Sequence, residues 1–145
     1  MPLPFLFDLE EKIIKTLFSE LVRKDDTVKA NAFKSYPKDH DEVSVTRHYY
    51  TNTMFCKNLK NFINKSGYCG LARLFVRDIR DCDAFIQYTP TEVNIFHSDI
   101  KVGIEIKEGM TIHPYYSDKL TQLRKKAKYF KDTCPDTDNW CGEEI

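Results

Sequence analysis

The chain reads as a single α+β domain: a mostly antiparallel, curved sheet of four to six strands with two or three helices packed on it. Three observations predict this. Apolar residues recur at helical spacing in a few short stretches, apolar and polar residues alternate in several others, and turn-forming residues separate the two kinds. A length of 145 residues with 41% hydrophobic content suits one core rather than two. The 22 basic and 22 acidic residues balance, which excludes the high-charge, low-hydrophobicity class of disordered chains. No apolar run approaches the roughly 18 residues that would span a bilayer, so no membrane is expected as a partner.

Asp8-Leu9-Glu10-Glu11 has the form in which an N-cap oxygen and a Glu three residues on satisfy helix donors, and Leu6, Leu9, Ile13 and Leu17 follow at helical spacing. A short helix is therefore expected from about residue 8. Phe18, Glu20 and Val22 alternate, so Thr16 to Arg23 reads as the end of that helix or as a first strand. Arg23 to Asp41 carries loop chemistry with a hydrophobic plug at Ala32-Phe33. Val43 and Val45, alternating with Ser44 and Thr46 up to Arg47, make a short strand. A helix follows, capped by Asn52 or Thr53, with Phe55, Leu59, Phe62 and Ile63 on its buried face, Lys57, Lys60 and Asn61 off it, and Ser66-Gly67 at its end.

Sheet is expected next, at Gly70 to Val76, then a turn through Arg77 to Asp81, then Ala84 to Tyr88. Beyond the break at Thr89-Pro90, a long strand from Ile95 puts Phe96, Ile100, Val102, Ile104 and Ile106 on a packed face. His97, Asp99, Lys101, Glu105 and Lys107 fall on a wet one. Gly109 suggests a hairpin with Met110 to Ile112 returning. A final helix from near Ser117, with Asp118 at its positive end, buries Leu120, Leu123, Ala127 and Phe130. Residues 1–131 thus make the domain, and 132–145 an acidic C-terminal tail free to stay mobile.

The net charge of zero conceals an asymmetry: Ser117 to Lys131 holds six basic residues and one acidic, whereas Asp132 to Ile145 holds five acidic and no basic. Such a pair of blocks fits a nucleic-acid or protein docking surface, or simply cations at a helix end beneath an acidic segment. The beginning of the chain carries no signal-peptide pattern, so a reducing cytoplasm is expected, with Cys56, Cys69 and Cys82 as small buried hydrophobes. Cys134 and Cys141 would need His40, His97 or His113 nearby to hold zinc or act in redox chemistry, and no metal and no cofactor is expected.

Two constellations could carry chemistry. His97, Asp99 and Lys101 project from one strand face as a base, its orienting carboxylate and a charge stabiliser, although an amphipathic strand places such residues outward for no further reason. Arg47-His48-Tyr49-Tyr50 joins a cation, an imidazole and two phenols at a strand end, where a phosphate or base could stack or the rings could cap the core. Were these strands neighbours, Arg47 and His97 would face one groove with Asn31, Ser44 and Tyr115. The phosphate-binding loops G-x-x-x-x-G-K-[ST] and G-x-G-x-x-G are absent, as are H-E-x-x-H, G-x-S-x-G and any close CxxC pair, which excludes the common nucleotide hydrolases and zinc proteases by motif.

At Ala32-Phe33, Glu42 to Arg47, Gly70-Leu71-Ala72 and Asn94 to Lys101 the chain resembles a group of small bacterial proteins with an AF…VSV…GLA…HxDI pattern. The resemblance spans about residues 18–130. It implies a bacterial cytosolic setting, one α+β domain and a place among accessory or phage-defence genes, and carries no catalytic role to any residue. The leading expectation is a small cytoplasmic accessory protein that binds a protein or nucleic-acid partner through Tyr49, Tyr50, Lys101 and the basic residues Arg124, Lys125 and Lys128. The alternative is a small enzyme acting on a nucleotide or nucleic acid, with His97, Asp99 and Arg47 as its catalytic residues.

Overall fold

One antiparallel sheet organises the chain. The structure, a computed structural model, describes residues 3–34, 43–103 and 114–145. Its strands are β1 (Lys12–Phe18), β2 (Val43–Arg47), β3 (Tyr68–Phe75), β4 (Phe85–Tyr88), β5 (His97–Lys101) and β6 (Lys128–Lys131). They lie in the order β4-β5-β2-β1-β3-β6, so among the described residues the sheet is open, curved and six-stranded. The helices are α1 (Thr53–Asn58), α2 (Val76–Asp81) and α3 (Pro114–Lys126). None is long and apolar enough to cross a membrane. The hairpin expected at Gly109, its return through Ile112 and the outer half of the Ile95 strand lie outside the described residues.

Burial on two faces explains where the periodicity misled. In β1 both Ile13 and Ile14, and both Leu17 and Phe18, are buried. Ile13 and Leu17 join the main core with Val43, Val45, Leu74 and Ile100, whereas Ile14 joins a second cluster with Cys56, Leu71 and Phe130. A strand covered on both sides loses its alternation, and apolar residues at 13, 14, 17 and 18 mimic a helix. The helix expected from residue 8 is therefore corrected to a strand, preceded by a turn in which the Glu11 N–H donates to the Asp8 carbonyl.

The main core is roofed by α2 through Val76 and Ile79, by α3 through Leu120 and Leu123, and by the Ala32-Phe33 plug in a short 3-10 turn at Ala30–Phe33. α1 instead lies on the opposite face, through Cys56. The Asn52 side chain caps α1, accepting from the Phe55 N–H at 2.8 Å, as its sequence implied. The turn expected at 77–81 is helical. Phe130 leaves the last helix for β6, where it pairs with Leu71 across the strands and lands in the second cluster.

Lys57, expected on the wet side of its helix, is fully buried, and its Nζ lies 2.9 Å from Asp132 Oδ2. Asp132 also accepts from the Tyr68 hydroxyl and from the Cys134 N–H. Residues 132–145 are thus folded against the sheet rather than hanging from it, with Trp140 and Ile145 packed on the second cluster and Cys134 disulfide-bonded to Cys141. Burial pushes the Asp132 carboxyl up, but the Lys57 ammonium and the two donated hydrogen bonds outweigh it, leaving its pKa below the ordinary value.

A depressed carboxyl pKa contributes stability that is present above the unfolded value of about 3.9 and lost as pH falls through the lower folded one. The urea midpoint of the wild type should therefore fall as pH drops below about 4. Asp132→Asn leaves Lys57 buried without its counter-ion and should cost about 3–5 kcal/mol at neutral pH. A urea series at several pH values should show a shallower acid loss for that variant than for the wild type.

Candidate functional site

β2 and β5 are adjacent, as the groove hypothesis requires, with Thr46 opposite His97 and Ser44 opposite Asp99. Side chains alternate along a strand, so Arg47 leaves β2 on the other face from His97. The contacts agree: the Arg47 guanidinium stacks over Phe7 and Tyr88, 4.0 and 5.3 Å from their ring centres, on the main-core side. Arg47, His97 and Asp99 do not share a groove, and the side chain of Tyr115 lies outside the described residues. Asn31 sits on the 3-10 turn that roofs the core face.

Arg47 is wholly buried. Its Nε lies 2.6 Å from Glu11 Oε1 and its Nη2 3.0 Å from Glu11 Oε2, a bidentate pair at the centre of the sheet end. The remaining donors reach the carbonyls of Pro4 and Leu6. Tyr50, in the 3-10 turn at His48–Tyr50, lies under the guanidinium with its ring centre 4.9 Å away. Each guanidinium nitrogen has an internal acceptor, so Arg47 is a positioning residue. His48 is held below its ordinary pKa by burial and by the nearby Lys12 charge, which disfavours the imidazolium that a phosphate would need.

What Arg47 positions is a rim of exposed apolar side chains. Phe5 is 73% exposed yet stacks edge-on against Tyr88, with ring centres 5.6 Å apart. Leu6 is 86% exposed on a carbonyl that Arg47 holds. Tyr49 is 76% exposed and packs its ring edge on Tyr50 at 5.0 Å. Ile95 is 57% exposed, its carbonyl accepting from the Tyr88 hydroxyl at 2.7 Å. The loop carrying Ile95 is stiffened further by Asn94, which is buried, donates to Thr46 Oγ1 at 2.9 Å and accepts from the Phe96 N–H. Glu11, Phe5 and Leu6 escaped sequence reading because their stretch resembled a helix start.

On the opposite face His97 and Asp99 do meet, through a residue that the sequence reading passed over as a strand break. The His97 Nδ1 lies 2.8 Å from the Thr89 carbonyl, which can only accept, so Nδ1 is the donor of that bond and Nε2 is turned toward Asp99. Nε2 stands 3.8 Å from Asp99 Oδ1, and the Thr89 hydroxyl donates to Asp99 Oδ2 at 2.8 Å. Asp99 is buried rather than wet. The ring can take a proton at Nε2 beside a carboxylate, which is acid–base capability without a placed nucleophile. Lys101 is half-buried farther along this face, opposite the exposed Phe85.

The basic residues are divided between two elements. Arg124 and Lys125 stand on α3, on the main-core side, whereas Lys128 belongs to β6, shares the parity of Phe130 and pairs with Glu143 at 2.8 Å. Among the described residues no three His, Cys, Asp or Glu side chains converge to hold a metal ion.

Arg47→Ala should leave Glu11 buried and unpaired and release the 4–7 segment, lowering stability by about 3–5 kcal/mol in a urea titration. His97→Ala removes one hydrogen bond to a backbone carbonyl and should cost less than about 1.5 kcal/mol. Equal losses in the two variants would contradict the positioning role of Arg47. In comparisons with protein-family models, curated proteins and solved structures, nothing matches this chain.

Proposed function

We propose that this chain is a non-catalytic binding module whose contact surface is the aromatic and aliphatic rim around Arg47, and that its partner is a protein. The observation that carries this reading is that Phe5, Leu6, Tyr49 and Ile95 are exposed and yet anchored, each by a hydrogen bond or ring contact leading back to the buried guanidinium. Protein interfaces draw their energy from a few large apolar and aromatic side chains. Rings already held in place lose little freedom on docking, so an anchored rim binds better than a floppy one of the same area. The setting that the sequence resemblance implies is an accessory protein of the bacterial cytoplasm, in phage defence. Lys101, Arg124, Lys125 and Lys128 are too dispersed to support a nucleic-acid footprint of comparable quality.

A second reading, a small enzyme acting on a nucleotide or nucleic acid, is favoured by one arrangement, the His97 ring with its Nε2 3.8 Å from Asp99 Oδ1. Arg47 takes no part in it.

Affinity purification at low salt, with recovered protein and the 260/280 nm ratio read together, separates the two. The wild type and His97→Ala should retain the same stoichiometric protein, and Phe5→Ser/Tyr49→Ser should retain at least about tenfold less. Recovery of nucleic acid that is lost steeply with salt, or of an activity that vanishes in His97→Ala, would overturn the binding reading.

A further inference from the structure

Residues 132–145 form a strap across the face that carries α1. Its first residue, Asp132, bonds its N–H to the Cys69 carbonyl, and its last described contacts are Lys12 Nζ to the Ile145 carbonyl and Lys128 to Glu143. Between these, Trp140 and Ile145 lie over Ile14, Cys56, Leu71 and Phe130. The fit is close at Gly142, where a Cβ would stand 2.6 Å from the Lys131 carbonyl oxygen and 2.8 Å from the Trp140 ring.

Lys57 is the anchor of this strap. Its ammonium meets Asp132 and donates to the carbonyls of Cys134 and Asn139, so its three protons are accounted for. Lys60 donates to the Pro135 carbonyl. Of these acceptors, Cys134, Pro135 and Asn139 all sit in the loop closed by the Cys134–Cys141 disulfide, and Asp132 sits outside it. Cys141 is exposed and Cys134 half-buried, within reach of a reductant, whereas burial pushes the Cys56 thiol up to about 12 and leaves it inert.

We propose that the Cys134–Cys141 disulfide is a reducible catch that holds the strap closed over the buried Lys57 ammonium and the Ile14, Leu71 and Phe130 side chains. The reductant is a dithiol of the thioredoxin or dithiothreitol class. One of its thiolates attacks a disulfide sulfur, releasing the other cysteine as a thiol through a mixed disulfide. Its second thiolate then resolves that intermediate. The strap gains two thiols, the dithiol becomes a disulfide, and two electrons and two protons change hands. Opening the loop restores chain entropy to residues 134–141, so their carbonyls leave Lys57 more readily. The Lys57–Asp132 pair persists because it stands outside the loop, and the sheet therefore stays folded while the strap lifts.

The test uses the full chain, oxidised and then reduced with dithiothreitol, the state of each verified by a 2 Da mass change. Trp140 is the only tryptophan, so its emission reports the strap alone. Reduction should shift that emission to the red and speed amide exchange across 133–145 by about tenfold or more, with β1 and β3 amides unchanged. Cys141→Ser should reproduce the reduced behaviour without reductant, and should it fail to fold, reduction of the wild type still decides. Unchanged emission and exchange in verified reduced protein would overturn the proposal. So would a loss of sheet protection on reduction, which would make the bond a staple of the whole fold, or a cysteine pair that stays as thiols in an oxidising glutathione buffer.

Discussion

A guanidinium cannot be buried without a carboxylate and a full set of acceptors, and in this protein that requirement shapes one end of the sheet. Arg47 stands at the end of β2, and its partners come from three other places: Glu11 before β1, the carbonyls of Pro4 and Leu6, and the rings of Phe7, Tyr50 and Tyr88. Convergence on one charge makes them a single unit, because loosening any of them leaves a buried ion partly unsatisfied. The exposed rim sits on that convergence, Leu6 through its carbonyl and Phe5 and Tyr49 through ring contacts.

The opposite face repeats the device. Lys57 gathers Asp132 and two carbonyls of the 134–141 loop, just as Arg47 gathers the 4–11 segment. Two irregular stretches, one before β1 and one after β6, are thus each tied to the sheet by a buried cation with backbone acceptors. This explains how short strands make a sheet covered on both sides. The regular elements supply the apolar layers, and the cations recruit the irregular segments that close them.

Charge chemistry also separates the two candidate sites. On the Arg47 side the buried guanidinium is paired with the Glu11 carboxylate and two backbone carbonyls, which suits a surface that must keep its shape against a partner. On the His97 side the hydrogen bonds run from Thr89 to Asp99 and from His97 to Thr89, and the second imidazole nitrogen faces the Asp99 carboxylate. The first arrangement is rigid and apolar at its edge, the second polar and capable of moving a proton.

Much of the layout could be read from residue order alone. β-branched alternation marked β2, Asn52 marked the start of α1, the Ala32-Phe33 plug stood out in a polar loop, and Leu120 with Leu123 marked the buried stripe of α3. These signals are local: a cap, a pleat or a helical stripe is decided within a few residues. β1 was illegible because burial on both faces erased its alternation, and α2 because a six-residue helix has too few turns to show a period. Lys57, Arg47 and Asp132 look like ordinary surface charges in the sequence. Only the tertiary structure decided that they are buried, which strand face Arg47 takes relative to His97, and that the acidic segment packs on the sheet. Those outcomes depend on partners 36 and 77 residues away, as the Arg47–Glu11 and Lys57–Cys134 contacts show, and no local pattern encodes a partner at that distance.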